Sequence, residues 1–422
     1  MTHSALETQQ IHRQVLDNGI TLLHIENPTA DIISGRIFLK NGGTRWEKRE
    51  KAGLFHLLAT LLTKGTEKRS AVEIAETIES IGANLGADTA TDYFLLSLKT
   101  VSADFAFMLG LAAEILLSPS LTEGEIELEK KITRQSIRSQ SEQPFNIAFN
   151  QLREAMYPLH PYGVSVLGTE ETVSGLTRFD LQSAHAQFFR PDNTIISISG
   201  RIDLESAIDL VKETFAPWQN PGDSMESLEL SPPIVNPSRR ITARETQQAI
   251  VMLGYLGVPV KHQDYATLKL LSTYLGNGLS SRLFVELREK RGLAYDVSCL
   301  YPTRLDTSSF VMYMGTAPDN TSIALEGLSA EASRLREILL TPEELQSAKN
   351  KLLGQYALGK QTNAELAQLY GWYETLGLGI EYDEIFPRTV KDITVEMIQD
   401  VASRYLQEPY ISLVGPASVV NM

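Results

Sequence analysis

The stretch Leu57-Leu58-Ala59-Thr60-Leu61-Leu62-Thr63-Lys64-Gly65 returns in altered form as Leu270-Leu271-Ser272-Thr273-Tyr274-Leu275-Gly276-Asn277-Gly278. In both copies apolar residues recur at helical spacing and a glycine closes the run, as at the end of an amphipathic helix. Glu79 to Gly82 likewise matches Glu289 to Gly292, in the same order. The copies lie about half the chain apart, far beyond a solenoid period, so the repeat predicts duplication of a whole domain.

The flanking elements follow the same order twice. In the first half, Ile11 to Val15, a turn at Asp17-Asn18-Gly19 and the alternating run Ile20 to Glu26 form a hairpin signal. A strand at Ile32 to Leu39 leads into the helix containing His56. Next come a helix at Ala71 to Ile81, a strand near Tyr93 to Thr100, helices at Ala103 to Leu117 and Glu123 to Gln140, a strand at Thr194 to Ser199 and a helix at Leu204 to Phe215. Pro217 to Pro237 is rich in Pro, Ser, Asn and Glu without periodicity, which marks a linker. The second half repeats strand (Gln248 to Tyr255), helices (Tyr265 to Leu275, Ser280 to Lys290) and strands (Ala294 to Tyr301, Ser309 to Gly315). It continues with helices at Ser322 to Leu339 and Pro342 to Gln361 and a last strand near Tyr410 to Val414. The expected architecture is α+β: two homologous domains, 1–216 and 238–422, joined by the linker 217–237, each a mainly antiparallel sheet packed with helices.

The composition allows two real cores, with 43% apolar residues among 422. A net charge of -14 argues against nucleic acid or an anionic membrane as the main partner, since both would repel the chain. The single cysteine, Cys299, excludes a disulfide framework and a multi-cysteine metal site; its strand-like neighbours predict an inert buried thiol. Met1 to Gln10 is polar and carries no targeting pattern, and no apolar stretch reaches membrane-spanning length, so the expected location is the cytoplasm.

His56 begins a degenerate motif. In H-x-x-E-H, two imidazoles four residues apart share one helix face and bind zinc, while the glutamate activates a water. Here Ala59 stands in place of that glutamate and Thr60 in place of the second histidine. Five blocks extend the likeness: Lys51 to His56, Lys64 to Ser70 and Ile78 to Ala83, then Gly278 to Phe284 and Leu287 to Tyr295. On these blocks the chain resembles the pitrilysin-type (inverzincin) zinc peptidases, in their mitochondrial processing-peptidase-like branch. The resemblance implies paired homologous α+β domains forming half of a clamshell that admits unfolded peptides. It also places the third zinc ligand in the charged helix, where this chain has Gln135 and Ser136 after the run Glu125 to Lys131. The chain is therefore expected to bind no metal and no cofactor of its own. His24, His160, His185 and His262 have no acidic or histidine partner at ligand spacing and read as structural.

The second half keeps what the first has lost. The family carries an arginine and a tyrosine seven positions apart that reach over the scissile peptide, and Arg288 and Tyr295 match them. A guanidinium and a phenolic hydroxyl can both donate to a developing oxyanion. The resemblance thus implies a non-catalytic, substrate-binding subunit of a heterodimeric zinc metalloendopeptidase. Its homologous H-x-x-E-H partner would hold the zinc, its substrate would be an unfolded peptide, and a homodimer is possible in isolation. The alternatives are a scaffold like the core proteins of respiratory complexes and a self-sufficient metallopeptidase with an unusual site. The long glycine-rich loop of the processing-peptidase substrate-binding subunit has no counterpart here. The strand near Tyr93 to Thr100 is the candidate edge for an extended peptide.

Overall fold

The computed structural model describes residues 10–420, so most of the polar N-terminal stretch lies outside the described residues. The chain forms two compact units. The first is built on six strands: β1 (Ile11–Val15), β2 (Thr21–Glu26), β3 (Ile32–Leu39), β4 (Asn84–Thr89), β5 (Phe94–Val101) and β6 (Thr194–Gly200). Their order is β1-β2-β6-β3-β5-β4, and every pairing is antiparallel except β2 with β6. Helices α1 (Leu54–Leu62), α2 (Ala71–Ser80) and α3 (Phe105–Leu117) lead into the long α4 (Glu123–Glu142).

Local chemistry sets these elements. α1 carries seven buried apolar residues, so only tertiary burial accounts for it. Its Phe55, Leu57, Leu58, Leu61 and Leu62 join one core with Phe94, Leu96 and Leu98 of β5, at roughly 1.5–3 kcal/mol for each large side chain fully buried. α2 starts on a capping box, with Ser70 and Glu73 each bonding to the other's backbone.

The second unit contains β7 (Arg239–Ala243), β8 (Ala249–Leu256), β9 (Ala294–Leu300), β10 (Ser309–Thr316) and β11 (Tyr410–Gly415), ordered β7-β11-β8-β10-β9. Only β7 with β11 is parallel. That is the first sheet without β1, with β7, β11, β8, β10 and β9 standing for β2, β6, β3, β5 and β4. The duplication read from the helix repeat is therefore also a duplication of sheet topology, and both sheets are mixed because of their one parallel pair.

The units are not contiguous along the chain. Pro144, which interrupts the charged run in the sequence, begins a separate helix, α5 (Pro144–Met156), that packs on β8 and β11 of the second unit. α6 (Glu170–Gly175), α7 (Arg178–Phe188) and α8 (Leu204–Thr214) complete the first half of the chain. Beyond β8 come α9 (Tyr265–Gly276), α10 (Thr321–Glu337), α11 (Pro342–Leu358) and then α12 (Asn363–Thr375), which packs on β3 and β6 of the first unit. α13 (Tyr382–Asp392) and α14 (Val395–Tyr405) follow. The first unit thus comprises 1–134, 166–227 and 357–382, and the second comprises 135–165, 228–356 and 383–422, where the expected halves were continuous. Each half of the chain lends one helix to the other's sheet. Residues 217–237 contain no helix or strand, as their composition predicts.

Candidate functional site

The N-terminus of α1 is held by the buried Glu47 carboxylate, which accepts from the Gly53 N–H at 2.9 Å and the Phe55 N–H at 2.7 Å. Burial pushes the Glu47 carboxyl up to about 7, against the pull of those backbone donors. Because α1 buries every other residue, His56 and Thr60 are left together on its half-buried face, one turn apart.

The face has the spacing of a metal site without its chemistry. The Thr60 hydroxyl donates to the Leu57 carbonyl at 3.0 Å, bonding back into its own helix. Ala59, 3% exposed, puts a methyl into the core where a general base would stand. Burial pushes His56 below the ordinary imidazole range, while Asp88 on β4 and Glu129 on α4 pull it back up. Glu129 is 4% exposed and its carboxylate pairs with the Lys64 ammonium at 3.0 Å. Gln135 and Ser136 are exposed farther along α4. Zinc needs about four ligands, three of them protein groups of anionic or imidazole type. Here one imidazole stands beside a hydroxyl bonded to its own helix and a carboxylate already paired with an ammonium. The donor set does not fit zinc, and no group of three His, Cys, Asp or Glu able to hold a metal occurs among the described residues.

Glu129 and Lys64 were not singled out from the sequence. The available signal was helical phase: Glu129 precedes Ser136 by seven residues, two turns along the same face of α4.

In the second unit Arg288 lies in a turn of π-helix, Phe284–Glu289, where the Lys290 N–H reaches the Val285 carbonyl at 3.0 Å across five residues. The matching end of α2 closes with the Ala83 N–H on the Ile78 carbonyl, whereas here the Leu293 N–H reaches the Leu287 carbonyl, a span one residue longer. Both turns pass through a glycine at φ 64, Gly82 and Gly292, a left-handed conformation that favours glycine. The Arg288 guanidinium lies 4.9 Å from the Phe284 ring centroid. Lys290 and Arg282 both pair with Glu286, and Arg282 also pairs with Glu331, bracing the turn. Tyr295 is the second residue of β9 and 56% exposed. The expected helix end and strand start are both present, and both side chains are exposed, free of the core.

The edge for an extended peptide needs correction. Residues 94–101 form β5, which is hydrogen-bonded to β3 on one side and β4 on the other and has no free edge. The edges on this side of the two sheets are β4 and β9. The other histidines and the cysteine lie apart from the His56 face of α1. His24 Nε2 and His185 Nε2 each lie 2.8 Å from a backbone carbonyl, of Ile202 and Leu116. His160 and His262 do gain aspartate neighbours, Asp306 at 3.6 Å and Asp264 at 3.5 Å, but Asp264 is held by Arg404 and Tyr405. Cys299 is buried, and burial pushes its thiol up to about 12, the inert state expected of it.

Two family models match the chain. Residues 22–170 match insulinase (peptidase family M16), and residues 175–352 match the peptidase M16 inactive domain. An uncharacterized zinc protease of Bacillus subtilis is 28% identical over 415 residues, covering 96% of this chain and 98% of its own length. One of Mycobacterium leprae is 29% identical over 422 residues, covering 98% and 93%. Among solved structures, a protease from Helicobacter pylori has a TM-score of 0.91 at 22% identity, covering 97% of this chain and 99% of its own. A peptidase M16 inactive domain from Pseudomonas fluorescens has a TM-score of 0.89 at 23% identity, covering 96% and 98%. No helix among the described residues is long and apolar enough to cross a membrane.

Proposed function

Because the chain belongs to the peptidase M16 family, we propose that it is the non-catalytic, substrate-binding subunit of a two-chain zinc metalloendopeptidase, completed by a homologous partner with an intact H-x-x-E-H motif. The observation that carries this reading is asymmetric loss. Apart from the His56 imidazole, the groups needed to hold zinc and activate water are replaced or engaged elsewhere, while Arg288 and Tyr295 remain exposed on a braced turn and on an edge strand.

In this reading the partner's motif supplies the metal and the water it activates. This chain supplies two neutralising donors: the Arg288 guanidinium and the Tyr295 hydroxyl bond to the peptide carbonyl as its oxygen gains negative charge. Such donors work best when fixed before the reaction, and the ion pairs of Arg282, Glu286 and Lys290 fix the turn that carries Arg288. The edges of β4 and β9 offer backbone bonds to an extended, unfolded peptide.

The test is a mixing assay with a homologous chain that carries an intact H-x-x-E-H motif, sought in the same genome. The purified chain alone should leave an unfolded peptide intact, and the mixture should cleave it faster than the homologue alone. A scaffold role predicts no gain on mixing, and a self-sufficient peptidase predicts cleavage and bound zinc in the chain alone.

A further inference from the structure

The duplication gives the degenerate helix face of the first unit a counterpart in the second. In the alignment of the repeats, His56, Ala59 and Thr60 correspond to Lys269, Ser272 and Thr273 of α9. α1 packs beside edge strand β4 and α9 beside edge strand β9, and α11 stands in the chain order where α4 does. Around α9, however, the space is open. A cavity of about 740 Å³ is bounded by α9, by residues 298–300 of β9, by Phe149 of α5 and by Leu352 and Gln355 of α11. That size falls within the range of pockets that hold small organic ligands, roughly 300–1,000 Å³.

The charge of this cavity is unlike that of the chain as a whole. The protein carries a net charge of -14, yet the lining includes two cations, Lys269 and Arg304, and no aspartate or glutamate. The Lys269 ammonium donates to the Tyr301 carbonyl at 2.9 Å, which occupies one of its three protons. Burying the Lys269 ammonium in a lining that holds no acid costs free energy that an arriving anion would recover. The ammonium's acidity reflects this, since burial pushes its pKa down; Cys299 acts the opposite way and the Arg304 guanidinium the same way, both more weakly than burial. Arg304 is itself steadied over the Tyr162 ring, 5.6 Å from its centroid. The lining also has apolar side chains, among them Phe149, Val311 and Leu352.

A ligand that uses both kinds of lining carries an anion together with an apolar group, and the lining by the edge strand favours one with a peptide backbone. We propose that this cavity anchors the carboxylate of a peptide, with Lys269 and Arg304 on the carboxylate and the apolar lining on the adjoining side chain. The choice of a peptide rests on the substrate-binding reading above; the charge and shape of the cavity do not. Neither zinc nor cleavage is involved, so the site can be tested on the chain alone, and a negative mixing assay would leave its result standing.

Three short rhodamine-labelled peptides, otherwise uncharged and ending in leucine, would be titrated into the full chain and followed by fluorescence anisotropy. One has a free C-terminal acid, one a C-terminal amide, and one an amide with an internal glutamate. A carboxylate-bearing peptide should bind at least roughly tenfold more tightly than the neutral amide, as expected of a charge-assisted hydrogen bond. Tight binding of the free acid alone assigns the C-terminus, and equal binding of the glutamate peptide assigns a side chain; both support the site. Lys269→Met should bring the acid down to the level of the amide, with unchanged circular dichroism. Gln355→Trp, at an exposed position on the rim, should also weaken the acid without touching either cation. Equal affinity for acid and amide, undiminished binding by Lys269→Met, or no binding of any of the three peptides would overturn the proposal.

Discussion

In the first unit α1 lies beside edge strand β4, and a buried carboxylate, Glu129, is neutralised by Lys64. In the second, α9 lies beside edge strand β9, and the ammonium of Lys269 opens onto a cavity with no acid in its lining. The helix N-termini differ as well: Glu47 holds α1 through backbone N–H groups, whereas Asp264 beside α9 is engaged by Arg404 and Tyr405. One duplicated scaffold thus carries two opposite charge arrangements. The strand order and helix packing are retained because they depend on apolar burial. The polar residues differ between the two helices: His56 and Thr60 are half-buried on α1, whereas on α9 Lys269 is half-buried and Ser272 and Thr273 are buried.

The largest contrast should appear where each helix ends. A Cβ on Gly276 would lie 1.9 Å from the Cys299 backbone nitrogen, an atom that cannot yield. The equivalent residue after α1 is Thr63, which already carries a side chain. Gly276→Val should cost about 3 kcal/mol or more, seen as a large fall in the thermal unfolding midpoint, whereas Thr63→Val should stay within about 0.5 kcal/mol. Equal effects would mean that the two helix–edge contacts are not built as described.

A second contrast concerns pH. The Glu47 carboxyl titrates near 7 when folded, against 4.5 as its ordinary value, so the folded state binds its proton more tightly than the unfolded chain. Its stabilising contribution is complete below pH 4.5 and is lost as the pH rises through about 7. Glu47→Gln should remove up to about 3 kcal/mol of the stability change between those limits, measured by urea unfolding at a series of pH values. For Asp264, burial pushes the carboxyl up but the bonds from Arg404 and Tyr405 outweigh it, so its pKa is lowered. Its contribution is present above its ordinary value of 3.8 and fades only as the pH falls below that. Asp264→Asn should therefore leave the profile between pH 5 and pH 8 unchanged in shape.

The smallest of these effects is expected at the emptied zinc face. Lys64→Met would leave the Glu129 carboxylate buried without a counter-charge. The cost should be about 2 kcal/mol, below the full penalty of a buried pair because Lys64 reaches solvent. Adding Glu129→Gln to the same chain should restore most of it, and chemical denaturation of the single and double variants measures the coupling.

How much of this was legible in the sequence depended on periodicity. β3 and α1 announce themselves by unbroken apolar spacing, and the repeat of α1 in α9 carries the duplication. β4 was not visible, because Asn84-Leu85-Gly86-Ala87-Asp88-Thr89 offers one large apolar residue and a weak alternation, which in turn made β5 look like an edge. The exchange of α5 and α12 was also hidden: an apolar face shows that a helix packs but not which sheet it meets. Arg288 and Tyr295 were recognisable only through the resemblance of the surrounding block Leu287 to Tyr295 to the family, whereas the π-turn beneath Arg288 is a matter of hydrogen-bond geometry that no residue type dictates. The ion pair of Lys64 with Glu129 and the cavity at Lys269 depend on burial of charged residues, which hydrophobic patterning reads as solvent-exposed.

The central claim is that the second unit supplies the oxyanion donors for a site whose metal belongs to another chain. It is tested most directly by kcat/KM for an unfolded peptide, measured in the reconstituted pair with wild-type chain and with Arg288→Ala. Loss of one such donor should lower kcat/KM by about 100-fold or more, with the pair still assembling at the same stoichiometry. Unchanged kcat/KM in a pair that assembles normally would contradict the account.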